Sequence, residues 1–163
     1  MTQPASTLQI TTPSDREIVM TRAFDAPREL VFEAFTKPEH VRHWWGRHGS
    51  TMLVCEADVR AGGAWRYVTT DSDGGEVPFK GVYQEVTPPE RLVFTETYDV
   101  EPFNLGEPAV NTVLLTEEGG RTLMTCISVY PTKEIRDFVL GTGMEVGAAE
   151  SYDRMAEHLK TLA

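Results

Sequence analysis

Period-two alternation runs through the middle of the chain, and helical spacing marks both ends. Glu17 to Phe24 alternate, with Ile18, Met20 and Phe24 on one face, which predicts a strand. Asp25-Ala26-Pro27 then opens a helix, because proline suits the first helical position. Val31, Ala34 and Phe35 form its apolar stripe. Thr36-Lys37-Pro38-Glu39 repeats the start signal for a second short helix, with Val41, Trp44 and Trp45 as its stripe.

From Met52 to Tyr130 short strands are broken by turns. Met52 to Val59 is followed by Ala64 to Thr70, which sets Trp65, Tyr67 and Thr69 on one face. Asp71-Ser72-Asp73-Gly74-Gly75 is a hairpin turn leading into Val77 to Val86. After Thr87-Pro88-Pro89-Glu90, the stretch Arg91 to Asp99 carries Leu92, Phe94 and Tyr98 at period two. Val100 to Pro108 reads as a loop, and Ala109 to Thr116 with Arg121 to Tyr130 as a last hairpin. With the first strand, this makes about six or seven strands on hairpin-length connections, hence antiparallel.

Pro131-Thr132 caps one long final helix to Ala163, with Tyr152, Met155, Ala156 and Leu159 at i, i+3, i+4, i+7. Gly141, Gly143 and Gly147 lie inside it, each costing about 1 kcal/mol relative to Ala. Together they predict a kink or a close backbone approach. Residues 1 to 14 hold only Leu8 and Ile10 to bury and read as a flexible arm with a short edge strand. Residues 15–163 read as a single domain. One helix cannot cover such a sheet unless the sheet curls around it. The expected architecture is therefore α+β, with an apolar cavity between the strands and residues 141–156.

Charge and cysteine content narrow the function. Among 163 residues, 15 are Lys or Arg and 25 are Asp or Glu, for a net charge of −10. So acidic a chain lacks the basic patch that nucleic acid or an anionic membrane surface requires. Cys55 and Cys126 sit in strand-like apolar runs and read as free thiols. No apolar run reaches the roughly 18 residues of a transmembrane helix. The opening MTQPASTLQITTPSD has neither a basic nor an apolar leader region, which makes the cytoplasm the expected address.

Most candidate chemistry resolves into structure. His40, His43 and His48 sit near one another, but no Cys accompanies them, and the turn reads as a packing element with no metal. His158 suits the C-terminal end of its helix. No G-x-S-x-G occurs, the Gly62-Gly63 and Gly119-Gly120 pairs fall at hairpin turns rather than at phosphate-binding junctions, and no cofactor is expected. Arg60 and Arg91 are expected to pair with carboxylates, or to border a cavity mouth.

Several motifs in order resemble one family. Phe24-Asp25-Ala26-Pro27, Val31-Phe32, and Thr36-Lys37-Pro38-Glu39-His40 ending in Trp44-Trp45-Gly46 form its opening. Asp58-Val59-Arg60-Ala61-Gly62-Gly63-Ala64-Trp65, Gly81-Val82-Tyr83-Gln84-Glu85-Val86 and Pro89-Glu90-Arg91-Leu92-Val93-Phe94 form its hairpins. Thr142-Gly143-Met144-Glu145 with Ser151-Tyr152-Asp153-Arg154-Met155 closes it. The chain resembles, over about residues 16 to 162, proteins related to the activator of the ninety-kilodalton heat-shock ATPase, a branch of the START-like (SRPBCC) superfamily. The resemblance implies a helix-grip fold, with a cavity between curved sheet and long helix.

On these grounds the strands and second helix are expected to contribute Trp45, Trp65, Tyr67, Phe79, Tyr83, Phe94 and Tyr98 to a ligand site. The last helix is expected to contribute Met144, Glu145, Ala148 and Tyr152. Glu145 lies seven residues before Tyr152, so an unbroken helix puts it on the apolar stripe; a glycine kink would instead rotate it to the rim. Trp44 and Trp45 cannot share a helix face, so one should be structural and the other at the pocket mouth or on the surface. The leading expectation is non-catalytic binding of a small hydrophobic molecule, aromatic or lipid-like, by a monomer or homodimer. The first alternative is a cyclase-, dehydratase- or hydrolase-type enzyme with Glu145 and Tyr83 as acid and base. The second is a chaperone ATPase cofactor acting through its surface.

Overall fold

A computed structural model describes residues 7–162. The first six residues of the expected arm lie outside the described residues. Eight strands form one antiparallel sheet. They are β1 (Gln9–Thr11), β2 (Glu17–Phe24), β3 (Met52–Ala57), β4 (Ala64–Thr70), β5 (Glu76–Thr87), β6 (Arg91–Tyr98), β7 (Ala109–Glu118) and β8 (Arg121–Val129). Their order across the sheet is β1-β2-β8-β7-β6-β5-β4-β3. All but one of these neighbouring pairs are consecutive in sequence; the exception is β2, the second strand, against β8, the last. The expected edge strand of the arm is β1, whose Ile10 faces Met20 of β2.

Helices α1 (Arg28–Thr36) and α2 (Pro38–Trp44) follow β2. Pro27 caps α1 from just outside, one position before that expected, and Pro38 opens α2. The loop Val100 to Pro108 contains a single 3-10 turn at Phe103–Leu105.

The expected single C-terminal helix is two helices, α3 (Lys133–Gly141) and α4 (Met144–Lys160). Thr142 and Gly143 separate them, and Gly143 takes a left-handed φ of +77° that a side chain would strain. The Thr132 hydroxyl caps α3 by accepting from the Ile135 backbone N–H at 3.1 Å. The buried Arg136 holds α3 to the β1–β2 connection, donating through Nη1 to Ser14 O at 2.7 Å and Glu17 O at 3.2 Å. Helix α4 is fastened to the sheet by Arg22 of β2, whose Nη2 lies 3.1 Å from Asp153 Oδ1.

The helices and sheet enclose two different interiors. Beneath α1, α2 and the second half of α4 the core is filled by side chains, with Ile18, Phe24, Val31, Val41, Met124, Met155 and Leu159 buried. Beneath the first half of α4 the sheet and helix stand apart.

Candidate functional site

That space is a cavity of about 700 Å³, within the range of small-molecule sites. The alternation of β4, β5 and β6 builds its aromatic wall. Trp65 and Tyr67 come from β4, Phe79 and Tyr83 from β5, and Phe94 from β6. Trp65 meets Phe94 edge-on at 5.8 Å between ring centroids and Tyr67 at 4.9 Å. Gly81 makes this arrangement fit. It pairs with Trp65 across the β4–β5 ladder, and a Cβ there would stand 2.5 Å from the indole Nε1 and 1.8 Å from Thr95 O. With only hydrogen at Gly81, the Trp65 indole N–H reaches over β5 and donates to Thr95 O of β6 at 3.2 Å.

The tandem tryptophans divide, but because the helix ends between them rather than by the angle between two helical residues. Trp44 is buried and its indole N–H donates to Ala34 O at 2.8 Å. Trp45 leaves the helix with an extended backbone and packs against Trp65, Tyr67 and Phe79 on the cavity wall. Two residues of the closing motif pin the chain that follows. Ser151 Oγ accepts from Gly46 N at 3.1 Å and donates to Gly46 O at 3.0 Å. Arg154 Nη1 donates to the carbonyls of Trp45, Gly46 and Arg47, and burial lowers its pKa from the ordinary value. The mouth is formed by Arg47 to Ser50 and by Thr70 to Ser72. At the adjoining turn Asp71 Oδ1 accepts from Asp73 N at 2.9 Å and Gly75 N at 2.7 Å, as expected of a hairpin turn.

The helix wall is Met144, Gly147, Ala148, Glu150, Ser151 and Tyr152. Glu145 is a correction. It is exposed and lies off the cavity. At 100° per residue, Met144, Ala148 and Ser151 fall within about 60° of one another, and Glu145 is about 100° round from Met144. Tyr152, nearly in line with Glu145, does line the cavity, but Glu145 lies in the first turn of α4, about 10 Å further along the axis, so the shared side does not bring the carboxylate inside. Tyr98 is the second correction. It lies beyond the cavity on the last residue of β6, against Phe79 at 5.3 Å and Phe103 at 5.5 Å. The other expected site residues, Trp45, Trp65, Tyr67, Phe79, Tyr83, Phe94, Met144, Ala148 and Tyr152, all line it.

The floor holds what sequence reading passed over: Glu96 of β6, Asn111 of β7, and Cys126, Ser128 and Tyr130 at the end of β8. Asn111 faces Phe94 on one side and Ser128 on the other in the strand ladder. Asn111 Nδ2 donates to Glu96 Oε1 at 3.0 Å. Glu96 lies deep yet keeps part of its surface accessible, because that surface is cavity wall. Burial raises its pKa to about 7, and the Asn111 hydrogen bond offsets this only in part. The nearby carboxylate adds to burial in raising the Cys126 thiol, to about 12, and the Tyr130 and Tyr152 phenols. The signal for Glu96 was present: it falls between Phe94 and Tyr98 on the same period-two face. A charge on that face reads as a solvated position until a cavity is known to lie beneath it.

Tyr83 is buried on the aromatic wall beside Tyr67, and burial raises both phenols. No acid–base pair forms between Tyr83 and Glu145. Arg60 and Arg91 lie off the cavity and pair with Asp58 at 2.8 Å and Glu85 at 3.1 Å. His40 Nδ1 and His158 Nε2 are 3.0 Å apart between α2 and α4, and His43 stacks on His158 at 4.7 Å. These two neighbours and burial lower the pKa of His158, burial most. Among the described residues, no three His, Cys, Asp or Glu side chains are placed to hold a metal ion. Cys55 and Cys126 are free thiols, the first half-buried and the second buried. Among the described residues, no helix is long and apolar enough to cross a membrane.

A curved antiparallel sheet closed by a C-terminal helix over an internal cavity defines the helix-grip, START-like class, a ligand-binding architecture. The model of the Activator of Hsp90 ATPase homolog 1-like protein family matches residues 25–160, and the chain belongs to that family. No curated protein is a match. Among solved structures, a protein from Rhodobacter sphaeroides is 27% identical with a TM-score of 0.85, covering 96% of this chain and 99% of its own. Protein Ms6760 from Mycobacterium smegmatis is 23% identical with a TM-score of 0.82, over 95% of this chain and 98% of its own. A protein from Silicibacter pomeroyi that carries the AHSA1 name is 20% identical with a TM-score of 0.72, over 90% and 99%. The two lower identities speak to fold alone.

Proposed function

We propose that the protein binds a small, largely apolar molecule in the cavity between the sheet and α4 and does no chemistry on it. The observation that carries this reading is the cavity itself: about 700 Å³ against a wall of Trp45, Trp65, Phe79 and Phe94. Aromatic walls favour flat or greasy ligands, which gain both apolar burial and ring contacts. The small side chains of Gly147, Ala148 and Ser151 keep the helix side open. The enzymatic alternative rested on Glu145 and Tyr83, which do not meet. A chaperone cofactor would act through an outer surface and would leave this cavity without a role.

The neutral fluorophore N-phenyl-1-naphthylamine tests the reading. Its emission should rise saturably on titration, with one molecule per chain. Trp65→Ala should weaken it by roughly tenfold, equivalent to about 1.4 kcal/mol. Absence of a saturable rise with the native chain overturns the proposal.

A further inference from the structure

The cavity is not uniformly apolar, and the polar region at its floor has no cationic partner among the described residues. Glu96 stands at the floor, with Asn111 of β7, Cys126, Ser128 and Tyr130 of the β8 end, and Tyr152 of α4 around it. None of these groups is basic. Among the described residues, the only cationic or titrating nitrogen side chains on the cavity wall are Arg47 and His48, both exposed at the mouth. Arg47 is already engaged, with Nε 3.4 Å from Glu150 Oε2. Buried carboxylates in proteins are as a rule paired, because burying a bare charge is costly. Asn111 supplies a single donor to Glu96 Oε1. That leaves the second carboxylate oxygen, and the counter-charge, without a partner among the described residues.

The cavity wall around Glu96 is aromatic. Phe94 precedes it on the same side of β6, and Trp65 packs edge-on against Phe94. Aromatic faces carry negative potential and attract organic cations. A carboxylate below an aromatic wall, with no cation inside, makes the interior attractive to a positive group carried in on an apolar body.

We propose that the ligand is an arylalkyl amine, a flat apolar body bearing one ammonium group, with the ammonium on Glu96 and the rings along Trp65 and Phe94. This rests on the cavity being a ligand site and adds the chemical class. The unliganded carboxyl holds a proton near neutrality and releases it when the ammonium arrives. No bond of the ligand is made or broken.

Tryptamine and tryptophol are matched probes, alike in size, one ending in ammonium and the other in a neutral hydroxyl. Each is titrated against bound N-phenyl-1-naphthylamine with the full chain. At pH 8.5, where Glu96 is ionised, tryptamine should bind at least about tenfold more tightly than tryptophol. At pH 5.5 the carboxyl must first lose its proton, so the preference should shrink by about tenfold or more. Glu96→Gln should abolish both the preference and its pH dependence. Equal affinities at pH 8.5, a preference that survives Glu96→Gln, or no displacement by tryptamine at millimolar concentration each overturn the amine assignment. If the fluorophore binds and these outcomes occur, only the amine class falls; if the fluorophore itself does not bind, the ligand site falls too.

Discussion

The two halves of α4 cover the same sheet and make opposite interiors. Its second half presents Met155 and Leu159 to the sheet, and the space beneath them is filled. Its first half presents Gly147, Ala148 and Ser151, and the space beneath them is open. Side-chain volume along one helix thus decides where the molecule is core and where it is container. The closed half also receives Val31 from α1 and Val41 from α2, whereas Phe35 and Trp44 from the same helices reach the cavity wall beside Trp45 and the mouth loop. A hollow in a protein this small is affordable only beside a core that is densely packed.

Substitutions that treat the halves alike should separate them. Met155→Ala cuts the closed half, where the side chain is fully buried, and should lower unfolding stability by about 2 to 5 kcal/mol in urea titrations. A loss below about 1 kcal/mol would mean that this half is not a packed core.

Glu96→Gln comes next and acts on the open half. The folded-state pKa of Glu96 is raised to about 7, so the folded protein binds this proton more tightly than the unfolded chain. The favourable contribution is complete below the ordinary carboxylate range and is lost as pH rises through about 7. Native protein should therefore lose on the order of 2 kcal/mol between pH 5 and pH 8 relative to Glu96→Gln. The variant should be the more stable of the two at pH 8. Parallel pH–stability curves would show that Glu96 is not desolvated.

Enlarging small residues probes each half directly. Ala34→Leu inserts volume where no surface is exposed and should cost about 1 to 3 kcal/mol. Ala148→Phe inserts more volume into the cavity; it should cost less than Ala34→Leu and should block N-phenyl-1-naphthylamine. If Ala148→Phe is the more destabilising, the open half is not open.

The smallest effect belongs to Glu145→Gln. The side chain is exposed and off the cavity, so stability should move by less than about 0.5 kcal/mol and fluorophore affinity should stay unchanged. A loss of affinity would return Glu145 to the site.

The amino-acid sequence by itself determined the strands, their antiparallel order along the hairpins, the two short helices and the aromatic wall. These depend on period-two alternation, turn chemistry and proline or glycine at specific places, all of which act between near neighbours. It also carried the family motifs, including Ser151 and Arg154, though not what they hold. Only the tertiary structure decided that Gly143 divides the last helix, that Glu145 turns outward and Tyr98 lies beyond the wall, and that Glu96 turns inward. A helical period reports the angle between residues on one helix but not where the sheet stands around it. Alternation likewise reports that Glu96 shares a face with Phe94, but not that the face borders a hollow rather than packed side chains or water. That depends on the volumes of Gly147, Ala148 and Ser151, which lie about 50 residues further along the chain and meet Glu96 only across the cavity.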